Sequence, residues 1–209
     1  MQYTVYTPEF LLELRNNPPQ LGKLANERRG LFFARNCQLR VRPPKSTGHS
    51  IAHCNRLGKL HYQDHWPTEM DLNIGDAWSI AVEPTQCIEW VQWLSTIAKL
   101  VRVAISVSPH SDSPSATHRL WLLASARLLL PEQFRIEVRH DLLGIHIAQI
   151  GLNFGADTLS GPIDEERSLP LAGVSRPVET SKSALSLLIE QAGYQPCSYD
   201  DPKNEREPT

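Results

Sequence analysis

Cysteine is scarce in this chain and scattered: Cys37, Cys54, Cys87 and Cys197 are its only four, and no two stand close together. A disulfide framework belongs to small, cysteine-dense chains in oxidising compartments, so reduced thiols of low reactivity are expected. Charge of one sign is also missing, the formal net charge being -2 with a pI near 6.4. No global positive field draws phosphate backbones or anionic lipid, which sets nucleic acid aside as a partner. Long apolar runs are absent too. None approaches the ~18 to 20 residues that cross a bilayer, and the opening MQYTVYTPEF has neither the basic start nor the apolar centre of a signal peptide. These absences predict a cytoplasmic protein with no membrane partner.

What the chain does have is length, proline and one well-patterned half. Its 209 residues suffice for one sizeable core, and sixteen prolines cut it into short elements. Three parts are expected: a helical lead-in and strand over residues 1–44, an α/β unit over 45–196 and a disordered polar tail over 197–209. In the lead-in, Thr7, Pro8 and Glu9 supply the cap, first-turn proline and first-turn acid of a helix reaching about Asn16. LGKLANERRG is a second helix that Gly30 ends, and LFFARNCQLRVR reads as a strand. Pro43 to Asp76 is polar, histidine-rich and unpatterned, and reads mostly as loop.

From Ala77 the pattern sharpens. AWSIAV is a strand, Pro84 starts a helix through CIEWVQWLSTIAKL, and VRVAISVS is a strand. SPSATHRLWLLASARLLL is the next helix, FRIEVRH the next strand, and DLLGIHIAQIGLNFG a helix-like stretch running into a last strand that ends at Asp157. ETSKSALSLLIEQAG closes as a helix capped by Thr180 or Ser181 and stopped by Gly193. Successive strand-helix-strand units call for right-handed crossovers, so the expected class is α/β with neighbouring parallel strands, as an open sheet or a barrel.

The stretch HIAQIGLNFGADTLSGPIDEERSLPLAG carries Gly155-Ala156-Asp157, Ser160-Gly161, Glu165-Glu166 and Ala172-Gly173 in order behind a helix. It resembles the C-terminal region of a group of radical S-adenosylmethionine enzymes: aminofutalosine synthase, the cyclic dehypoxanthine futalosine cyclase and the FO synthase subunits. ATHRLWLLASARLLLP with FRIEVRH is similar to the group's penultimate unit, and SALSLLIEQAGYQP to its final helix, so the likeness spans roughly Ala77 to Pro196. LGKLANERRGLFFARNCQLR is a weaker match to the lead-in of the cluster loop. The resemblance implies a partial (β/α) barrel with parallel strands, like the C-terminal part of a radical S-adenosylmethionine TIM-type barrel. It also implies a place near menaquinone biosynthesis by the futalosine pathway, or near deazaflavin biosynthesis, with S-adenosylmethionine as a candidate ligand.

What that group needs for catalysis is missing. Three thiolates in a C-x3-C-x2-C loop hold a 4Fe–4S cluster whose open iron chelates S-adenosylmethionine. This sequence has no such spacing, sixteen residues separating Cys37 from Cys54. No 4Fe–4S cluster is expected on this chain alone. The chain reads as a degenerate paralogue, or as one part of an assembly in which a partner supplies the rest. Exposed parallel edges of an open barrel are an association hazard, so a homodimer, a partner radical S-adenosylmethionine enzyme or an N-terminal segment is expected to cover them.

Candidate site residues fall into two groups. Ser108, His110, His140 and Asp157 stand at or just after the ends of predicted strands, and strand C-termini of a barrel converge on one mouth. Glu165 and Glu166 lie on the loop beyond, where the resemblance implies a substrate-positioning role. The plain alternatives are a turn carboxylate for Asp157 and a solvated pair beside Arg167 for the two glutamates. The second group is His49, His53, His61 and His65, two pairs spaced by four with Cys54 and Asp64 adjacent. Such pairs on a helix chelate zinc, though Gly48 and Gly58 interrupt any helix, and four loop histidines are the plain alternative. Trp90 and Trp93 share one helix face and read as core or interface. Accessory or binding function without independent catalysis is the leading expectation. The alternatives are an active subunit of a split radical enzyme, a metal-dependent hydrolase built on His49 to His65, and a decayed product.

Overall fold

The computed structural model describes residues 6–45, 51–53, 59–63, 66–100, 105–165 and 178–198. The elements among them run α1 (Pro8–Glu13), α2 (Pro18–Phe33), β1 (Asn36–Val41), β2 (Ile51–His53), β3 (Lys59–Gln63), β4 (Ala77–Ala81), α3 (Cys87–Ile97), β5 (Ser106–His110), α4 (Ala116–Leu129), β6 (Arg135–Arg139), α5 (His140–Leu143), α6 (Ile145–Leu152), β7 (Thr158–Gly161), α7 (Lys182–Gln191) and β8 (Gln195–Ser198). They build one sheet in the order β2-β3-β4-β5-β6-β7-β1-β8. Every pair is parallel except β2 on β3. The sheet curls into a half-barrel with helices packed on it, the partial TIM-type barrel expected from the sequence.

Strands β4 to β7 are consecutive neighbours, as their helix-length spacers require. Alternation along them separates two faces. Leu39, Ile80, Val107, Ile136, Val138 and Leu159 enter the hydrophobic core under the helices. The residues between them, such as Arg40, Ser79, Ser108, Glu137 and Ser160, form the concave face, which is largely polar and mostly buried. Helix α4 is buried from His118 to Leu128 except at half-buried Arg119. A helix without a wet face belongs in the core, and α2 packs over it. Trp121 on α4 donates its indole N–H to Leu11 O at 2.8 Å, tying α1 to the same layer. Trp90 is fully buried, with Nε1 on Ser125 Oγ at 2.9 Å, and Trp93 donates to Pro67 O at 2.8 Å, so both serve packing.

Several boundaries differ from the sequence expectation. Thr7 caps α1, but α2 runs past Gly30 and stops at Ala34, whose φ of 50° breaks the helix. Buried Arg29 fastens that exit, donating to the carbonyls of Ala34, Asn36 and Ala156. The stretch read as loop contains β2 and β3, three and five residues long, in a polar segment without a continuous apolar run. Residues 101–104 of VRVAISVS lie outside the described residues, and β5 extends instead through Pro109 to His110. Gly144, at φ 83°, splits the long helix-like stretch into α5 and α6. Most consequentially, the last central strand begins at Thr158, so Asp157 precedes it rather than ending it. A further strand, β8, occupies the start of the segment read as tail. Its Gln195 N–H donates to Arg35 O at 2.8 Å, so alternation turns Pro196, which has no N–H, toward the open edge. Among the described residues no helix is long and apolar enough to cross a membrane.

Candidate functional site

The concave face is organised by an ion cluster between strands far apart in sequence. Arg40 and Arg42, two apart at the end of β1, point the same way and reach over β7 to Glu137 on β6. Arg42 grips Glu137 with both ends of its fork, at 3.1 and 2.5 Å. Arg40 Nη1 reaches the same carboxylate at 3.1 Å and Ser106 Oγ on β5 at 2.9 Å. Burial alone would push Glu137 up, but the Arg42 and Arg40 guanidiniums, with the hydrogen bonds from Arg42, hold it well below the usual carboxylate range. Nearer the C-terminal ends, buried Arg139 donates to Asp141 at 3.0 and 2.6 Å and to Pro43 O at 2.8 Å. The sequence reading passed over these charges. Their signal was the period of two itself: R-x-R closing β1 and R-x-E-x-R filling β6 put every charge on one face of its strand.

Beside this cluster, β5 presents Ser108 and His110, 3% and 4% exposed. His110 Nδ1 lies 3.4 Å from Ser79 Oγ on β4. His110 Nε2 and Ser108 Oγ have no hydrogen-bond partner among the described residues. Burial, then the Lys45 ammonium, pulls the His110 imidazole down to about 4. The ring is therefore neutral at pH 7 and too weak a base to take a proton usefully.

This has a consequence for stability. The unfolded chain protonates His110 near pH ~6.5, while the fold resists until about 4. The stability so conferred is complete above the unfolded value and is lost as pH falls through that window, by on the order of 3 kcal/mol. His118 and His140, both lowered by burial, contribute with the same sign. Denaturant midpoints measured at pH 7.5, 6 and 5 should fall steadily, and His110→Gln should flatten the decline. An unchanged slope in that variant would contradict the buried neutral ring.

The remaining predicted residues do not join Ser108 and His110 at one mouth. Asp157 sits just before β7, level with Ile136 and Val107 but on the Leu159 side of the sheet, where it meets α4, and is fully buried. Its carboxylate pairs with Arg127 and with Arg135 at 3.2 Å, and accepts from Ile136 N–H at 2.8 Å and the Thr158 hydroxyl at 2.9 Å. Every lone-pair direction is engaged inside the protein, so Asp157 is a brace for the β6–β7 entry. His140 opens α5 and lies against Gly161, where a Cβ would come within 2.4 Å of its Nε2. Alternation puts Gly161 on the Leu159 side of β7, so His140 belongs to the helix layer, across the sheet from His110. Glu165 is exposed beyond β7, and Glu166 lies outside the described residues.

His53 closes β2 opposite Lys59, and His61 lies in β3, so neither described member of the two pairs stands on a helix. His61 instead holds Asp76 at 2.8 Å and stacks on Trp78 at 4.1 Å. His49, His65 and Cys54 lie outside the described residues.

The three described thiols stand apart and do not together fit an iron–sulfur cluster. Cys37 is in the core, its thiol pushed up to about 12 by burial. Cys87 opens α3 and bonds to Pro84 O at 3.2 Å, and Cys197 lies on the edge strand β8. Among the described residues no three histidine, cysteine or acidic side chains group as metal ligands.

No family model matches the sequence, and no curated protein matches it. Among solved structures, the chain is similar to methylornithine synthase at 12% identity and a TM-score of 0.51 over 93% of this chain and 95% of that one. What the similarity shows is the fold, a half-barrel of parallel strands with helices packed on it.

Proposed function

We propose that the protein binds a small polar ligand on the concave face of its half-barrel and has no radical chemistry of its own. One observation carries the reading: Ser108 Oγ and His110 Nε2 are buried on the same face of one strand and unpaired among the described residues. A dry, unpaired polar group costs about 1–3 kcal/mol, which a ligand offering hydrogen-bond partners would offset. The low basicity of His110 favours holding a ligand over moving its proton. The separated thiols favour a cluster-free protein. The link to futalosine or deazaflavin chemistry rests on the sequence resemblance, and it makes S-adenosylmethionine and adenosine compounds the first ligands to try. A homodimer or partner enzyme covering the half-barrel belongs to the same reading, with its contact placed away from the proline-blocked backbone of β8.

Anaerobic reconstitution with iron and sulfide tests the cluster-free part. The protein should remain colourless, without the thiolate-to-iron absorption near ~400 nm. A stable brown product whose band disappears on changing Cys37 or Cys54 would overturn it.

A further inference from the structure

In the helix layer, where the turn after α1 meets the start of α4, lies a cavity of about 340 Å³ whose lining includes Arg15, Ser115, Thr117, His118 and Trp121. None of these residues belongs to the concave face. We propose that the cavity holds a small hydroxy acid, with its carboxylate on the Arg15 guanidinium and its hydroxyl on His118 Nδ1. Small-molecule sites run to about 300–1,000 Å³, so a space near the lower end suits a guest of few atoms.

Arg15 supplies the charge. The Trp121 indole, fixed by its bond to Leu11 O, lies 5.2 Å from the Arg15 Cζ and holds the cation in place. Arg15 makes no ion pair or hydrogen bond with any described residue. Its five N–H donors are therefore open to a guest, and a planar fork of donors suits a carboxylate. It is also the one charged side chain among the described lining residues. Ser115 Oγ accepts the His118 N–H at 3.3 Å and keeps its own proton to donate.

His118 supplies the opposite requirement. Its side chain is buried, the residue being 5% exposed. Val82 O, 3.0 Å from Nε2, can only accept, so the ring proton sits on Nε2 and Nδ1 carries a lone pair. The one hydrogen-bonding neighbour of Nδ1 among the described residues is the Cys87 thiol at 4.0 Å, and the thiol proton already has a nearer acceptor in Pro84 O at 3.2 Å. Burial holds the ring below its usual basicity, so Nδ1 stays an acceptor at pH 7. Of the other charges that act on this ring, Glu83 and Arg119 oppose each other. A hydroxyl beside a carboxylate meets both demands, whereas a bare carboxylate leaves the lone pair unmet and a hydroxy amide leaves the cation unmatched.

The test follows the backbone amide signals of Thr117 and His118 by NMR, at pH 7 and constant ionic strength, while sodium glycolate, sodium acetate or glycolamide is added to the full chain. Glycolate should shift both signals saturably. Acetate should bind about threefold or more weakly, as loss of one neutral hydrogen bond does, and glycolamide about tenfold or more weakly, as loss of a bond to a charged group does. Arg15→Gln breaks no hydrogen bond to a described residue, so it should keep the wild-type melting temperature while weakening glycolate about tenfold or more. Acetate binding as tightly as glycolate would overturn the hydroxy acid, and so would glycolate affinity unchanged in Arg15→Gln or matched by glycolamide. If none of the three probes shifts these amides saturably, the site itself falls, and the concave-face reading is untouched.

Discussion

Glu137→Ala should lower the protein's stability by about 3–5 kcal/mol, the usual cost of removing one partner from a buried ion pair. Glu137 is 1% exposed, and its two guanidinium partners, Arg40 and Arg42, would each lose the carboxylate that they share. In a chain of this size each kcal/mol moves the melting temperature by about 2–4 °C, so a drop on the order of 10 °C is expected by calorimetry. Glu137→Gln should fall between wild type and alanine, because it keeps acceptor shape while losing charge. Replacing Arg40, Glu137 and Arg42 together by apolar residues of similar volume should recover much of the loss, as desolvation of the whole triad is then avoided. A wild-type melting temperature for Glu137→Ala would mean that the concave face is wet, and that the cluster is a surface feature worth little.

Asp157→Ala should be costlier still. Two cations lose their anion, one of them Arg127, which is fully buried and already lowered to about 10 by that burial against the pull of Asp157. The Ile136 N–H loses its acceptor as well, adding about 1–3 kcal/mol to the 3–5 expected for the broken pair. Set against a typical domain stability of about 5–15 kcal/mol, the variant should accumulate largely as insoluble protein. Asp157→Asn, which can still accept from Ile136, should be partly rescued. Whatever fraction folds should bind ligand as wild type does, since the carboxylate lies on the other side of the sheet from His110. A well-folded Asp157→Ala protein with ligand affinity lost would return Asp157 to the rim.

The architecture was legible where strands are long and buried on both faces. AWSIAV and FRIEVRH, with the helices between them, could be read because their apolar runs are bounded by proline and cap residues, and β4, β5 and β6 are neighbours as that spacing demands. Asp157 was misplaced for a local reason. IGLNFGAD is apolar with two glycines, equally a strand or a helix ending in a turn, and only tertiary packing distinguishes them. Gly155, at φ 95°, is where a Cβ would come within 2.6 Å of the Arg127 side chain, so the turn is fixed by a contact 28 residues away. The position of β1 between β7 and β8 could not be read either, because it depends on pairings across more than a hundred residues. The strand-end criterion that singled out Ser108 and His110 located the end of β5 nearly correctly. It failed for Asp157, where the boundary was wrong, and for His140, where the chain had already turned into a helix.

Binding on the concave face without a cluster is tested most directly by equilibrium dialysis of labelled S-adenosylmethionine against the purified chain, with no iron or sulfide added. Saturable binding is predicted for the wild-type protein, weakened at least tenfold in His110→Gln. Binding that emerges only after iron and sulfide are supplied, or that His110→Gln leaves unchanged, would contradict the account.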